Sequence, residues 1–282
     1  MMNFIGTLND VSFLDLDIDT FVIGNKKYAV RMAALFDDEM ISSLVSKIHD
    51  LNKKVYICVN KLFTQEELKG LEEYLINLNS LKVDGILFSD MAVYQIAKRN
   101  GFDNILIYDP DTLLVNSYDV KFFNDLGLES VVVSKDISLE DILDVAKRNP
   151  LFATILVYGH YTLFYSKRKL VENYFYAYEK EPEKYIENRN LLTQEITRNE
   201  LYPIYQDGNG TVIYSDKKLF YANYLKKMVE AGINRMYFNF MFDDYNEAKR
   251  VVSLYKEALS EDKIYDETGY TTGYLFRKTG VK

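Results

Sequence analysis

Several polar residues stand directly after short apolar runs that are typical of β-strands. They are Arg31, Asn60, Asp90, Asp111, Asn116, Lys135, Asp136 and His160. If the strands are parallel, residues at their C-terminal ends meet on one face and form a polar pocket. The adjacent pair Lys135 and Asp136 fits two roles: binding a small anion or orienting a partner's arginine, or acting as a charge pair at the start of a helix. The sequence leaves both roles open.

A basic, aromatic loop follows the apolar run that ends at residue 158. Residues 167–169 read Lys-Arg-Lys, in a chain whose formal net charge is −8. Arg168 offers a fork of donors that suits phosphate or carboxylate. Together with Tyr165 and Ser166, it indicates a docking or substrate loop. The alternative is a loop that tyrosine packing holds against the body of the protein.

The histidines and the cysteine are weaker candidates for catalysis. His160 has the chemistry of a general base, but no Ser–His–Asp or Cys–His spacing accompanies it, so we expect contacts with water or backbone. His49 lies among Lys and Asp residues and is expected on the surface. Cys58 sits between apolar residues of a predicted strand, whereas a nucleophilic cysteine needs an electropositive, partly open setting. A core role is therefore favoured for Cys58, and no catalytic residue is assigned.

Carboxylates and tyrosines form two further groups. Asp109, Asp111, Asp243 and Asp244 are suitable ligands for a hard cation, but the sequence does not bring them together. Turn and cap roles are favoured, so no metal site is expected. The tyrosine-rich stretch 174–185 has rings that stack well on bases, but its glutamates favour packing or a protein interface.

The elements that position these residues alternate regularly between strand and helix. Strands are predicted over 3–7, 21–23, 55–59, 85–88, 104–108, 130–133, 154–158 and 235–240. Amphipathic helices between them imply right-handed crossovers and a parallel sheet. We therefore predict an α/β fold, a (β/α)8 TIM-like barrel. A doubly wound open sheet is the alternative, but no glycine-rich phosphate loop follows an early strand.

Three segments qualify this regular pattern. Leucines at helical spacing, after a Thr64–Glu67 capping box, predict a helix over 64–82. The alternation breaks over 159–215, where an insertion before the last strand is expected to contain a β-hairpin near 202–214. A helix is then predicted over 216–232. The whole chain, 1–282, is expected to form one barrel domain.

Composition and charge restrict the class of protein. Of the 282 residues, 48% are hydrophobic and 27% charged, which is ordinary for a globular protein. A single cysteine forms no internal disulfide, which fits a reducing compartment. We see no signal peptide and no apolar run long enough for a bilayer, so we expect a cytoplasmic protein without a membrane partner. A net charge of −8 does not attract nucleic acid over long range.

Three stretches together resemble the collagenase-like peptidases of peptidase family U32. They are 52–75, 157–175, and 202–219 with the later 269–276. The resemblance implies a β/α barrel in a family of peptidases and of hydroxylation factors for ubiquinone and tRNA. Arg31, Asn60 and Asp90 match residue types of the family, and Lys135-Asp136 is a conservative version of its Arg-Glu pair. Residues 165, 166 and 168 match the family's signature loop.

The resemblance also shows what this chain lacks. Many members carry four cysteines that hold an iron–sulfur cluster, a glutamate before the signature glycine and a later Glu-Gly-Arg motif. Here the glutamate position is Thr154, and the first two cysteine positions are Thr162 and Lys169. The stretch 185–193 has no cysteine, and the later motif reads Phe-Asn-Phe-Met at 238–241. Threonine and lysine cannot hold iron as thiolates do, so we expect a degenerate short member without a cofactor.

Three functional hypotheses follow. The first is a non-catalytic partner subunit in wobble-uridine tRNA hydroxylation, paired with a longer, cysteine-bearing relative that also contacts the tRNA. The second is a peptidase, although no nucleophile, dyad or zinc motif supports it. The third is a barrel that binds a small carboxylate through Arg31 and Lys135.

Overall fold

Short β-rich runs form the strands, and the amphipathic segments between them form the helices. The computed structural model describes residues 2–178 and 180–277. The strands are β1 Asn3–Thr7, β2 Thr20–Asn25, β3 Leu35–Phe36, β4 Lys54–Val59, β5 Gly85–Phe88, β6 Leu106–Tyr108, β7 Ser130–Val132, β8 Ala153–Gly159, β9 Thr162–Ser166, β10 Leu192–Gln194, β11 Leu201–Asp207, β12 Gly210–Tyr214, β13 Leu219–Phe220 and β14 Arg235–Phe238. The α-helices are α1 Asp38–Asp50, α2 Leu71–Ser80, α3 Met91–Arg99, α4 Ser117–Asp125, α5 Leu139–Arg148, α6 Leu170–Ala177, α7 Leu225–Ala231 and α8 Tyr245–Ser260.

The parallel strands close into a barrel. Around the ring the order is β1, β2, β4, β5, β6, β7, β8 and β14, and β1 pairs with both β2 and β14. Eight parallel strands of the described chain, with helices packed outside them, make the predicted TIM-like barrel, which is therefore confirmed. No helix in the described part of the chain is both long and apolar enough to cross a bilayer.

Strand alternation separates the interior of the barrel from the layer under the helices. On β4, Tyr56 and Cys58 point inward and join a small apolar cluster with Ile5, Val22 and Leu87. The intervening strand residues, such as Val55 and Ile57, belong to the larger core between barrel and helices. Successive side chains of a strand point to opposite faces, so the apolar run of β4 serves both layers.

The predicted helix over 64–82 is wrong in its first half. Residues 65–70 form turns, and α2 begins only at Leu71, after Gly70 with a φ of 79°. The reciprocal hydrogen bonds between Thr64 and Glu67 are present, but Glu67 also pairs with Lys61 at 2.9 Å and with Lys167 at 2.6 Å. These ion pairs tie the segment to the insertion and compete with a continuous helix.

The predicted helix over 216–232 is also too long. Leu219 and Phe220 form the short strand β13, which pairs antiparallel with the end of β8. The α-helix of this region, α7, begins at Leu225. Both strand residues are buried, so their contribution to the core outweighs the helical spacing of this segment.

The insertion forms a second, antiparallel sheet. Its strands lie in the order β10, β11, β12 and β9, and β11 and β12 form the predicted hairpin. Tyr205, Val212 and Tyr214 of this hairpin pack with Met241. At the turn, Asn209 donates hydrogen bonds to the carbonyls of Lys26 and Ala29 after β2, at 3.3 and 3.0 Å. The hairpin therefore packs against the loops at the C-terminal end of the barrel.

Candidate functional site at the barrel mouth

A cavity of about 60 Å³ lies where the barrel strands end. Its lining comprises Arg31, Met32, Cys58, Asn60, Asp109, Asp111, Val132, Val133, Lys135, Leu156, Tyr161, Thr162, Tyr237 and Asn239. A water molecule needs at least roughly 10–15 Å³ of such volume, and pockets for drug-sized ligands occupy about 300–1,000 Å³. The cavity has room for a few waters or a small ion, but not for a nucleoside.

Asp111 is the centre of the charge network in this cavity. One carboxylate oxygen, Oδ2, accepts from the Arg31 guanidinium at 2.7 Å, and the other, Oδ1, accepts from Lys135 Nζ at 3.1 Å. Lys135 also donates to the Asp111 carbonyl at 3.1 Å. The side chains of Arg31 and Lys135 are 13% and 5% exposed. Both cations thus share an internal carboxylate, which weakens the hypothesis that they bind a free carboxylate.

Asp109 adds a second carboxylate beside this network. Its Oδ1 accepts from the Asp111 backbone N–H at 3.3 Å, and burial raises its pKa. For Arg31, burial acts to lower the pKa, but the attraction of Asp111 and Asp109 outweighs burial and leaves that pKa above its usual value. The site therefore holds Arg31 as a permanent cation.

Asn60 and Asp90 have supporting positions. Asn60 is buried, and its side-chain carbonyl accepts from the Val30 N–H at 2.9 Å, which orders the chain just before Arg31. Asp90 caps α3 through the Ala92 N–H and also accepts from the Phe63 N–H, both at 2.9 Å. Asn60 lines the cavity, whereas Asp90 does not. Asn116 caps α4.

Asp136 lies next to the network rather than in the cavity lining. Its carboxylate is 3.7 Å from Lys135 Nζ, and its side chain is 39% exposed. Its N–H donates to Ser134 Oγ at 3.2 Å, and Asp136 lies two residues before Ser138, the N-cap of α5. Of the two roles left open for the Lys135-Asp136 pair, this geometry favours the charge pair near the helix start, with Lys135 turned inward.

The predicted position of His160 in the mouth needs correction. His160 faces a separate groove, which Asp243, Arg189 and Phe242 also line. Its Nδ1 is 2.6 Å from the Ser215 carbonyl, so Nδ1 carries the proton, and burial lowers the pKa of the ring. This is the kind of backbone contact that the sequence favours for His160. In the described residues its side chain bonds to a carbonyl rather than to a nucleophile.

The signature loop is attached to the hairpin. Tyr165 donates to the Asn209 carbonyl at 3.1 Å and packs in the cluster beneath the hairpin. Ser166 Oγ accepts from the Arg168 N–H at 3.1 Å. The Arg168 side chain is exposed, and its carbonyl accepts from Thr211 at 2.9 Å. Tyr165 thus fits the anchoring role, and Arg168 keeps its guanidinium available for a partner.

Sequence reasoning misses several residues of the mouth. Tyr161, Tyr237 and Asn239 line the cavity, and so does Asp109, for which the sequence favours a turn role. Asn239 directly follows β14 and donates to the His160 carbonyl at 3.1 Å. The rule of polar residues after strands misses it because the predicted last strand runs to residue 240, whereas β14 ends at Phe238. Tyr161 could not be found this way because it belongs to the insertion.

The donors at the former cluster positions do not fit an iron–sulfur cluster. Thr162 lies in the cavity lining and Lys169 is exposed. Thr154 is buried, with its hydroxyl 2.8 Å from that of Ser130. Among the described residues, no three His, Cys, Asp or Glu side chains are placed to share a metal ion. Iron–sulfur clusters need several thiolates, and this chain has one cysteine.

Cys58 is held as a protonated thiol. It is 3% exposed, and burial, followed by repulsion from Asp109, raises its pKa to about 12. At pH 7.5 its thiolate fraction is roughly a thousandfold below that of a free cysteine. We therefore expect native protein to resist alkylation by iodoacetamide for hours and to react within minutes in denaturant, as read from the intact mass. Equal rates in the two conditions would contradict this environment for the thiol.

The fold and the mouth define a class of protein: a closed β/α barrel of the TIM type, capped by an antiparallel insertion and internally ion-paired at its C-terminal end. The model of peptidase family U32 matches residues 11–277. This chain therefore belongs to peptidase family U32.

Relatives within this family carry names from tRNA modification. The chain is 27% identical to tRNA hydroxylation protein P2 of Bacillus subtilis over 85% of this chain and 78% of the relative. It is 25% identical to tRNA hydroxylation protein P1 of the same organism, over 86% and 58% of the two chains. The solved U32 peptidase Mk0906 superposes with a TM-score of 0.53 at 14% identity, over 85% of this chain and 92% of that one. This last likeness supports the fold alone.

Proposed function

We propose that this chain is a non-catalytic partner subunit in wobble-uridine tRNA hydroxylation, acting beside a longer, cysteine-bearing family member. The observation that carries the proposal is a barrel mouth with polar strand-end residues but, among the described residues, no group of side chains placed to hold a metal ion. Arg31 and Lys135 pair with Asp111, and the one thiol is buried and protonated. The choice of tRNA hydroxylation as the reaction is based on the names of the relatives.

Exposed aromatic and aliphatic side chains on the insertion support a protein partner. On α6 and just after it, Tyr174, Tyr176 and Tyr178 are 57%, 57% and 63% exposed. Phe164 on β9 is 46% exposed, and Ile196 is fully exposed. Clusters of large exposed apolar groups are typical of interaction sites, and aromatic residues such as those on α6 carry much of the binding energy at interfaces.

The proposal is tested in the native cell. Deletion of the gene is expected to abolish hydroxylated wobble uridine in total tRNA, measured by mass spectrometry of nucleosides. A tagged chain at native level is expected to co-purify with the longer relative. Unchanged hydroxylation together with purification of the chain alone would contradict the proposal.

The tyrosine surface gives a sharper version of this test. Replacing both Tyr174 and Tyr178 with serine is expected to reduce recovery of the longer relative at least tenfold, because aromatic anchors contribute about 2 kcal/mol or more each. The matched control is Tyr118→Ser on α4, whose side chain is 77% exposed on a different element. An equal loss of the longer relative with the control variant would show that any change of an exposed tyrosine, and not this surface in particular, reduces recovery.

A further inference from the structure

A groove other than the one that His160 faces adjoins the barrel-mouth cavity. Its volume is about 650 Å³, and it runs between residues 197–202, the pair 216–217 and residues 270–277. Tyr161 lines both the cavity and the groove. The groove is thus roughly ten times larger than the cavity and continues to its edge.

Tyrosines dominate one part of this groove. Tyr161, Tyr202, Tyr270 and Tyr274 all line it and are half-buried, so each ring is held while part of it stays accessible. Tyr270 stacks on Phe220 with ring centroids 4.7 Å apart and accepts from the Arg250 guanidinium at 2.8 Å. Rigid, accessible rings are the platforms on which single-stranded nucleic acids stack their bases.

The groove also presents three cationic side chains on an acidic protein. Arg198, Lys217 and Arg277 line it, against the carboxylates Glu200 and Asp216. Arg198 is held by Glu195 at 3.0 Å. With Glu195 counted, three cations stand against three anions, so the groove is close to neutral on a chain that carries −8. Lys217 is exposed.

We propose that this groove binds a single-stranded segment of RNA, with bases on the tyrosines and phosphates on Lys217 and Arg277. The cavity of about 60 Å³ excludes a nucleoside, whereas the groove accommodates one or two nucleotides beside Tyr161. The inference rests on the proposed function for the identity of the RNA, and it departs from the expectation that tRNA is contacted only through the partner. A duplex offers no free base faces to these rings, so single strands are favoured.

The test uses the full chain and a fluorescein-labelled oligouridine heptamer, with binding followed by anisotropy. We expect saturable binding whose log–log salt slope is about −1.4, with about −0.7 for each of the two phosphate contacts. The variants Tyr274→Leu and Lys217→Ala should each weaken binding roughly tenfold. Lys217→Ala should also reduce the salt slope by about 0.7. The controls Tyr118→Ala and Lys47→Ala, on α4 and α1, should bind as the unmodified chain, and all variants should melt alike.

Several outcomes would overturn the inference. One is absence of heptamer binding, and a second is equal binding of a duplex of the same length. A third is variants that weaken co-purification with the longer relative but not RNA binding, which would make the groove a protein interface. If the heptamer fails to bind while deletion of the gene still abolishes tRNA hydroxylation, the groove inference fails and the proposed function stands.

Discussion

Replacement of Asp111 with alanine is expected to lower the free energy of unfolding by about 3 kcal/mol. The change leaves the guanidinium of Arg31 and the ammonium of Lys135 without their common carboxylate, and both are largely buried. Removing one partner of a buried pair typically costs about 3–5 kcal/mol, because it leaves an uncompensated charge. A quarter of the Asp111 side chain is exposed, so solvent screening places the effect at the lower end of that range.

Chemical denaturation followed by circular dichroism measures this loss. Asp144→Ala is the matched control, because Asp144 pairs with Arg148 on the surface at 2.9 Å and both side chains are more than half exposed. Such a pair contributes less than about 1 kcal/mol. The double variant Asp111→Ala, Lys135→Met should recover part of the lost free energy of unfolding, because only one buried cation is then left without its carboxylate. A loss below about 1 kcal/mol for Asp111→Ala would show that Asp111 does not organise the mouth.

Replacement of Gly159 with alanine is expected to cost about 3 kcal/mol or more. Gly159 ends β8 with a φ of 111°, and a Cβ added there would overlap the Asn239 carbonyl oxygen. The unfavourable φ alone costs about 1–3 kcal/mol, and overpacking against backbone adds about 1–3 kcal/mol. The clash would also displace Asn239, which lines the cavity.

Two other glycines separate these contributions. Gly101 has a φ of 76°, and a Cβ added there would meet no atom within 4 Å, so Gly101→Ala should show the backbone cost alone, about 1 kcal/mol. Gly208 also has open space and a φ outside the left-handed range, so Gly208→Ala should be nearly neutral. The melting temperatures should therefore decrease in the order Gly208→Ala, Gly101→Ala, Gly159→Ala. Equal melting of the Gly159 and Gly101 variants would contradict the close approach of β8 to Asn239.

The barrel could be predicted because each strand–helix unit is encoded locally. On α5, for example, Ser138 and Asp141 form a capping box, and Ile142 and Val145 are buried three residues apart on one face. The prediction of a helix starting at Thr64 is wrong because Gly70 adopts a φ of 79° just before α2, and Glu67 pairs with Lys167, one hundred residues away. Local spacing does not report such a partner.

The candidate site could be predicted only in outline. Arg31, Asn60, Asp111 and Lys135 line one cavity because parallel strands bring their C-terminal ends together. The sequence could not predict which charges pair, because Asp111 bonds to two cations that lie 80 and 24 residues away along the chain. His160 follows β8 like the others, yet it faces another groove because the Ser215 carbonyl fixes its ring.

The proposed function requires that a longer relative, and not this barrel, holds the iron–sulfur cluster. Anaerobic purification of the chain, alone and together with the longer relative, followed by iron analysis and visible spectroscopy, tests this most directly. We predict a colourless isolated chain with iron far below one atom per molecule, and iron that appears only when the cysteine-bearing relative is present. A brown isolated chain with stoichiometric iron would contradict the account.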